Sequence, residues 1–115
     1  MSLEIKVQDL NAHSAVVILE GALTFGMSLS LADSKLRGLV ERGITKLVLD
    51  MTGVPYCDSA GLGAIVYTYG LAKQQGGMIR LCGLSDRVAA MLRMTTTDSF
   101  LPIDADREAG VAALQ

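Results

Sequence analysis

Two apolar runs, the unbroken Ala15-Val16-Val17-Ile18-Leu19 and a second inside Ile44 to Met51, flank a segment whose apolar residues recur with helical spacing. A run without alternation hides both faces, which is the pattern of a strand in the middle of a covered sheet. Between the runs, from Met27 to Arg42, Leu29, Ala32, Leu36, Leu39 and Val40 fall on one stripe. Asp33, Lys35, Arg37 and Glu41 fall largely off it. A buried strand, an amphipathic helix and a second buried strand imply a right-handed crossover and a parallel pair.

The remaining elements extend this unit. Leu3, Ile5 and Val7 alternate with Glu4, Lys6 and Gln8, the period of a half-buried strand near a sheet edge. Asn11, Ala12 and His13 make a turn short enough for an antiparallel hairpin with the first apolar run. Gly43 ends the first helix, and Gly53 and Pro55 break the second buried strand. Asp58-Ser59 opens a second helix with Leu62, Ile65, Val66, Tyr69 and Ala72 inward, closed by Gly76-Gly77. Met78 to Cys82 is a further strand. Ser85 caps a third helix with Val88, Met91 and Leu92 inward. Phe100 to Ile103 reads as a last edge strand, and Asp104 to Leu114 as a final helix anchored by Val111 and Leu114. The predicted order is β-β-α-β-α-β-α-β-α: one α/β domain over residues 1–115, with a mixed, mostly parallel sheet covered by helices. The sequence leaves the strand order and the division of helices between the two faces open.

Composition narrows the function. Half of the 115 residues are apolar, enough for a core. The net charge of −2 comes from interspersed charges with no basic stripe, which argues against nucleic acid as a partner. No apolar run approaches the roughly 20 residues needed to span a bilayer, so direct membrane insertion is not expected. Two cysteines, Cys57 and Cys82, and the absence of a secretory signal point to a reduced, cytoplasmic protein without a disulfide scaffold.

The chemistry-bearing stretch is Cys57-Asp58-Ser59-Ala60-Gly61-Leu62-Gly63. Functional groups of open α/β sheets gather beyond the carboxyl ends of strands, where this stretch must lie. Ala60, Gly61 and Gly63 leave the Ser59 hydroxyl open to a large visitor. A phosphate there adds about −1.5 to −2 charges at a helix start that tolerates them. A partner docked on the same patch would meet a desolvated dianion beside Asp58, a loss of about two decades in affinity. Asp58 suits either a helix cap or a contact to a visiting kinase. The bland reading is an ordinary N-cap. Two glycines in one first turn weaken the helix by roughly 1 kcal/mol each, and either a visiting backbone or close helix–sheet packing would account for them. On this reading Ser59→Ala folds with a slight loss of stability from a missing cap.

Val48-Leu49-Asp50-Met51-Thr52-Gly53-Val54-Pro55-Tyr56-Cys57-Asp58-Ser59-Ala60-Gly61-Leu62-Gly63 resembles the signature of STAS domains, and among them bacterial anti-sigma-factor antagonists. Gly76-Gly77 before Met78-Ile79-Arg80-Leu81, and the helix within Leu84 to Thr97, extend the resemblance over nearly the whole chain. The resemblance implies that Ser59 is phosphorylated by an anti-sigma factor that is a serine kinase with a histidine-kinase-like ATPase fold. The unphosphorylated form binds that kinase, the phosphorylated form releases it, and a metal-dependent serine phosphatase resets the cycle. Asp58, Ser59, Ala60, Gly61 and Leu62 then form the partner-binding patch. Apart from the resemblance, Met94, a mobile side chain at the end of the third helix, either extends this docking face or fills the core. Gly21-Ala22-Leu23-Thr24-Phe25-Gly26 lacks the Asp that many sigma-regulating members carry and is similar to segments of STAS domains attached to anion transporters. The alternative is therefore a STAS subunit or scaffold of a transporter-associated or stress-signalling complex in which Ser59 is not phosphorylated.

Enzymatic readings fare worse. A nucleophile elbow needs Gly-x-Ser-x-Gly, and here Cys57 stands at the first glycine. The single histidine, His13, sits in a hairpin turn. Cys57, Cys82 and His13 lack the paired spacing of a zinc site, and no catalytic residue, metal or cofactor is expected. Gly61-x-Gly63 has Val66 where a dinucleotide fingerprint needs a third small residue. Cys57 beside a helix start invites a lowered thiol pKa, against the alternative of a small buried hydrophobe. Thr95, Thr96, Thr97 and Ser99 are secondary phosphate acceptors or simply loop chemistry. Tyr67 projects from the less buried side of the second helix.

Overall fold

The strand order explains the architecture. The computed structural model describes residues 2–115. Its elements are β1 (Glu4–Asn11), β2 (Ser14–Glu20), α1 (Met27–Glu41), β3 (Lys46–Gly53), α2 (Ser59–Gln74), β4 (Met78–Cys82), α3 (Asp86–Met94), a 3-10 turn (Thr97–Ser99), β5 (Ile103–Asp104) and α4 (Arg107–Ala113). The five strands lie in sequence order, β1-β2-β3-β4-β5. β1 and β2 pair antiparallel, and every later neighbour is parallel. Three crossovers that step the same way with the same hand must place their helices on one face. α1, α2 and α3 accordingly pack on one side of the sheet, and α4 is left to fold back over the other. This settles the two points the sequence left open.

Side-chain alternation along the strands serves both layers. Ala15, Val17, Leu19, Leu47, Leu49, Met51, Ile79 and Leu81 belong to the large core under the three helices. Val16, Val48 and Cys82 point the other way and meet Leu114, with Val111 packed alongside. The apolar stripe read for α1 is its buried face: Leu29, Ala32, Leu36, Leu39 and Val40. α2 buries Leu62, Ile65 and Ala72 as expected. Val66 and Tyr69 are only half-buried.

The C-terminal segment differs from its sequence reading. The last strand is Ile103–Asp104, paired with Leu81 and Cys82, rather than Phe100 to Ile103. Pro102 brings no N–H to the ladder; its carbonyl alone joins, accepting from the Leu81 N–H at 2.9 Å. Phe100 stays outside, its ring 5.6 Å from that of Tyr69. Asp104 is not a helix-start residue. It forks onto Arg80 with oxygens 2.7 and 3.0 Å from Nε and Nη2. Asp106 caps α4 instead, accepting from the Ala109 N–H at 2.9 Å.

A helix of seven residues with so little apolar area needs further fastening. Arg107 supplies it, reaching Asp50 with Nη2 at 2.7 Å and Nε at 2.9 Å. The other Asp50 oxygen accepts from the Thr52 N–H (3.0 Å) and hydroxyl (2.7 Å). Burial alone would raise the Asp50 carboxyl; the Thr52 hydrogen bonds and Arg107 outweigh it and hold the group below its ordinary value. Removing one partner of a buried pair strands the other. Because Arg107 is itself 43% exposed, Arg107→Ala should cost about 2 kcal/mol rather than the 3–5 of a fully buried pair. The sign with pH follows from the depressed folded value. Asp50 contributes its full stabilisation above the unfolded carboxyl's value of ~3.9, and that contribution is lost as pH falls through the lower folded value. Urea unfolding of wild type and Arg107→Ala, at neutral pH and at successively more acid pH, should show a gap that narrows on the acid side. A constant gap would contradict the pairing.

Candidate functional site

Beyond the end of β3 the chain turns, with the Val54 N–H on the Met51 carbonyl at 2.9 Å, and then runs beside the segment that follows β2. Leu23 and Cys57 form a parallel bridge. The Leu23 N–H donates to the Tyr56 carbonyl at 3.0 Å, and the Asp58 N–H to the Leu23 carbonyl at 3.1 Å. Two loops are thereby zipped together just where α2 begins. Asp58 completes the closure. One carboxylate oxygen accepts from the Gly61 N–H at 2.9 Å and caps α2; the other accepts from the Phe25 N–H, also at 2.9 Å. The backbone donors of Phe25 and Gly61 hold its carboxyl below the usual range, so it is ionised at neutral pH.

Asp58 is therefore the helix cap, one of the two roles read for it. Ser59 is the first residue of α2 and exposed. The cap belongs to Asp58, so the expected cap loss in Ser59→Ala does not arise. Ala60 is half-buried and packs against the core, and Leu62 is buried at 8% exposure. Gly61 is buried as well: a Cβ there would lie 2.8 Å from the Leu23 carbonyl carbon and 2.9 Å from Leu23 Cβ. Close packing within the chain accounts for this glycine. Gly63 is different. It is exposed, and a Cβ on it would meet nothing within 4 Å.

Met94 does share a surface with Ser59. An open groove of about 500 Å³ runs between the Asp58–Ser59 corner and α3, lined also by Tyr56, Arg87, Met91 and Met94. Met94 is 84% exposed, while Met91 packs partly into the core. Phe25, joined through its N–H to Asp58, is 86% exposed, and Met27, at the start of α1, is 77% exposed. Large side chains at such exposure mark an interaction surface when they cluster. Phe25, Met27, Tyr56 and Arg87 are not among the residues that the sequence marks as a site. Phe25 offered a signal, one of two phenylalanines, set between Thr24 and a glycine; the others offered none without the fold.

His13 lies where its carbonyl accepts from the Lys46 N–H, at the start of β3. The whole of β3, eight residues and roughly 25 Å, separates it from the end of the sheet that carries Ser59. It cannot serve Ser59 as a base. The Cys57 thiol is pushed up to about 11 by burial and then by Asp58, against any activation by the helix start. Cys82, under α4, is also raised to about 11, chiefly by burial. Thr95 and Thr97 share a hydrogen bond of 2.7 Å, Thr96 and Ser99 hydroxyls bond nearby carbonyls, and Thr97 is buried. These hydroxyls shape the turn after α3. Tyr67 is exposed with Arg37 stacked 4.7 Å above its ring. Among the described residues no cluster of three or more His, Cys, Asp or Glu could hold a metal, and no helix is long and apolar enough to cross a membrane.

Comparison with known proteins agrees with this fold. The family model described as "STAS domain" matches residues 3–110. The chain is 38% identical over 77 residues to the anti-sigma-B factor antagonist of Bacillus subtilis, covering 67% of this chain and 70% of that one. It is 29% identical over 105 residues to the anti-sigma F factor antagonist of Paenibacillus polymyxa, covering 90% and 87%. The crystal structure of an anti-sigma factor antagonist from Mycobacterium paratuberculosis superposes with a TM-score of 0.83 at 20% identity, over 98% of this chain and 94% of that one. The fold, the family match across nearly the whole chain and the relatives converge on one identification: the chain belongs to the STAS domain family.

Proposed function

We propose that this chain is an anti-sigma-factor antagonist whose binding state is set by phosphorylation of Ser59. The carrying observation is the division of labour at the start of α2. Asp58 holds both loops and caps the helix, so the exposed Ser59 hydroxyl is spare of structural duty. It can gain a phosphate without unfolding anything. Exposed Met94 in the same groove, and exposed Phe25 next to Asp58, provide apolar area a partner would bury. In this reading Ser59, Ala60 and Gly63 present the accessible backbone and hydroxyl. Asp58, Gly61 and Leu62 hold that surface in shape from below, and Met94 forms its far rim. The partner is an anti-sigma factor with a histidine-kinase-like ATPase fold that phosphorylates Ser59, and a metal-dependent serine phosphatase reverses the modification in the cytoplasm. The names of the relatives support an anti-sigma factor as the partner, and the exposed hydroxyl supports the switch.

A competition assay tests the function itself. A labelled sigma factor bound to its anti-sigma factor should be displaced by the unphosphorylated chain and retained when the chain carries phosphoserine at position 59. Failure of the unphosphorylated chain to displace sigma from any anti-sigma factor encoded beside it would shift the reading to a scaffold of another assembly.

A further inference from the structure

We propose that Arg87 is the residue that holds a phosphoryl group placed on Ser59, pairing with it through the guanidinium edge while its face stays stacked on Tyr56. The inference rests on Ser59 being the acceptor and adds the group that receives the charge. Arg87 lines the same groove as Ser59, and its guanidinium carbon stands 4.4 Å from the centroid of the Tyr56 ring. Stacking occupies the face of a guanidinium and leaves its N–H donors pointing outward in the plane. Phosphate oxygens take two such donors side by side.

Three observations isolate Arg87 for this role. Among the described residues Arg37, Arg80 and Arg107 are ion-paired, while Arg42, Arg87 and Arg93 have no carboxylate partner, and of these three Arg87 lines the groove of Ser59. It is the second residue of α3, where the helix dipole disfavours a cation; Asp86 in the same turn has the sign that the helix end prefers. Helix stability thus gives no reason for Arg87. The start of α3 is fixed to the segment that carries Tyr56, because the Ser85 hydroxyl caps Val88 at 3.2 Å and donates to the Pro55 carbonyl at 3.4 Å.

The charges around the groove are few. Asp58 is the acidic residue lining it, and both its oxygens are committed to backbone N–H groups. The Cys57 thiol, raised to about 11, stays neutral. Asp86 lies beside Arg87 on the exposed start of α3. Arg93 lines a separate cleft with Asp98 and Asp104. A dianion on Ser59 therefore has one cation in its own groove. Its capture would neutralise part of the new charge and remove Arg87 from any partner that uses it.

The test installs phosphoserine at position 59 during translation and follows its phosphorus resonance by NMR as a function of pH, in wild type, Arg87→Gln and Arg87→Lys. A nearby cation favours the dianion. The titration midpoint should therefore be lowest in the wild type, highest in Arg87→Gln, and between them in Arg87→Lys, which keeps the charge and loses the fork. Coincident midpoints in wild type and Arg87→Gln would overturn the proposal. Unphosphorylated Arg87→Gln should melt close to the wild type, since the side chain is exposed. The phosphate is built in without a kinase, so the two ideas fail separately. Coincident midpoints remove Arg87's role; lack of phosphorylation by ATP and a kinase removes Ser59's.

Discussion

Gly61→Ala should lower stability by about 3 kcal/mol, although alanine is the better helix former by roughly 1 kcal/mol at an unconstrained site. The added methyl would press on the carbonyl and Cβ of Leu23. That neighbour is backbone, bridged to Cys57 and bonded to the Tyr56 carbonyl and the Asp58 N–H. It cannot swing aside as a flexible side chain could. Relief requires α2 to lift or the two loops to part, and either breaks hydrogen bonds that set the Asp58–Ser59 corner. For a domain of this size the melting temperature should fall by roughly 10 °C or more. Gly63→Ala is the internal control. With open space around it, it should gain roughly 0.5–1 kcal/mol. If Gly63 is bare to let a partner's backbone approach, the same variant should bind the anti-sigma factor more weakly while being more stable. Equal stability of Gly61→Ala and wild type in urea titrations would mean that the two loops do not pack as described.

Ser59→Asp should weaken binding to the anti-sigma partner by about 100-fold, near 2.7 kcal/mol. Ser59→Ala should bind within a few-fold of the wild type. The hydroxyl sits beside the ionised Asp58 and within the exposed apolar surface. A docked partner would strip water from a second carboxylate there, and like charges would face each other in a lowered dielectric. Neither change touches the Asp58 bonds to Phe25 and Gly61. Both variants should therefore unfold at nearly the wild-type urea concentration. Calorimetric binding of the three proteins to one purified partner reads the effect. Indistinguishable affinities for wild type and Ser59→Asp would refute an electrostatic switch.

Much of this fold was legible because its elements differ in period. The buried run of β2 and the α1 stripe from Leu29 to Val40 stand out on the sequence and form as read. The strand order did not show, since nothing in a run such as Leu47 to Met51 says which neighbour it pairs with. It fell into place only through the one-sided crossovers. The end of the chain misled for a similar reason. Phe100-Leu101-Pro102-Ile103 has strand composition, yet Pro102 limits the pairing, and Asp104 answers to Arg80 across the sheet rather than to its own helix. At the site, Asp58-Ser59 was visible as a helix start. The partner of Gly61 was not, because Leu23 approaches from a distant loop; of the two reasons the sequence allows for this glycine, a visiting backbone or close packing, the chain's own packing is the one that applies. Arg87 and Tyr56 meet only once α3 is docked, so no local pattern could pair them.

The account stands on Ser59 as the acceptor, and the direct measurement is intact-protein mass spectrometry after incubation with ATP and a candidate anti-sigma kinase, with Ser59→Ala in parallel. The account predicts one added phosphoryl group on the wild type and none on the variant. No addition from kinases shown to be active on other substrates, or addition that persists in Ser59→Ala, would contradict it.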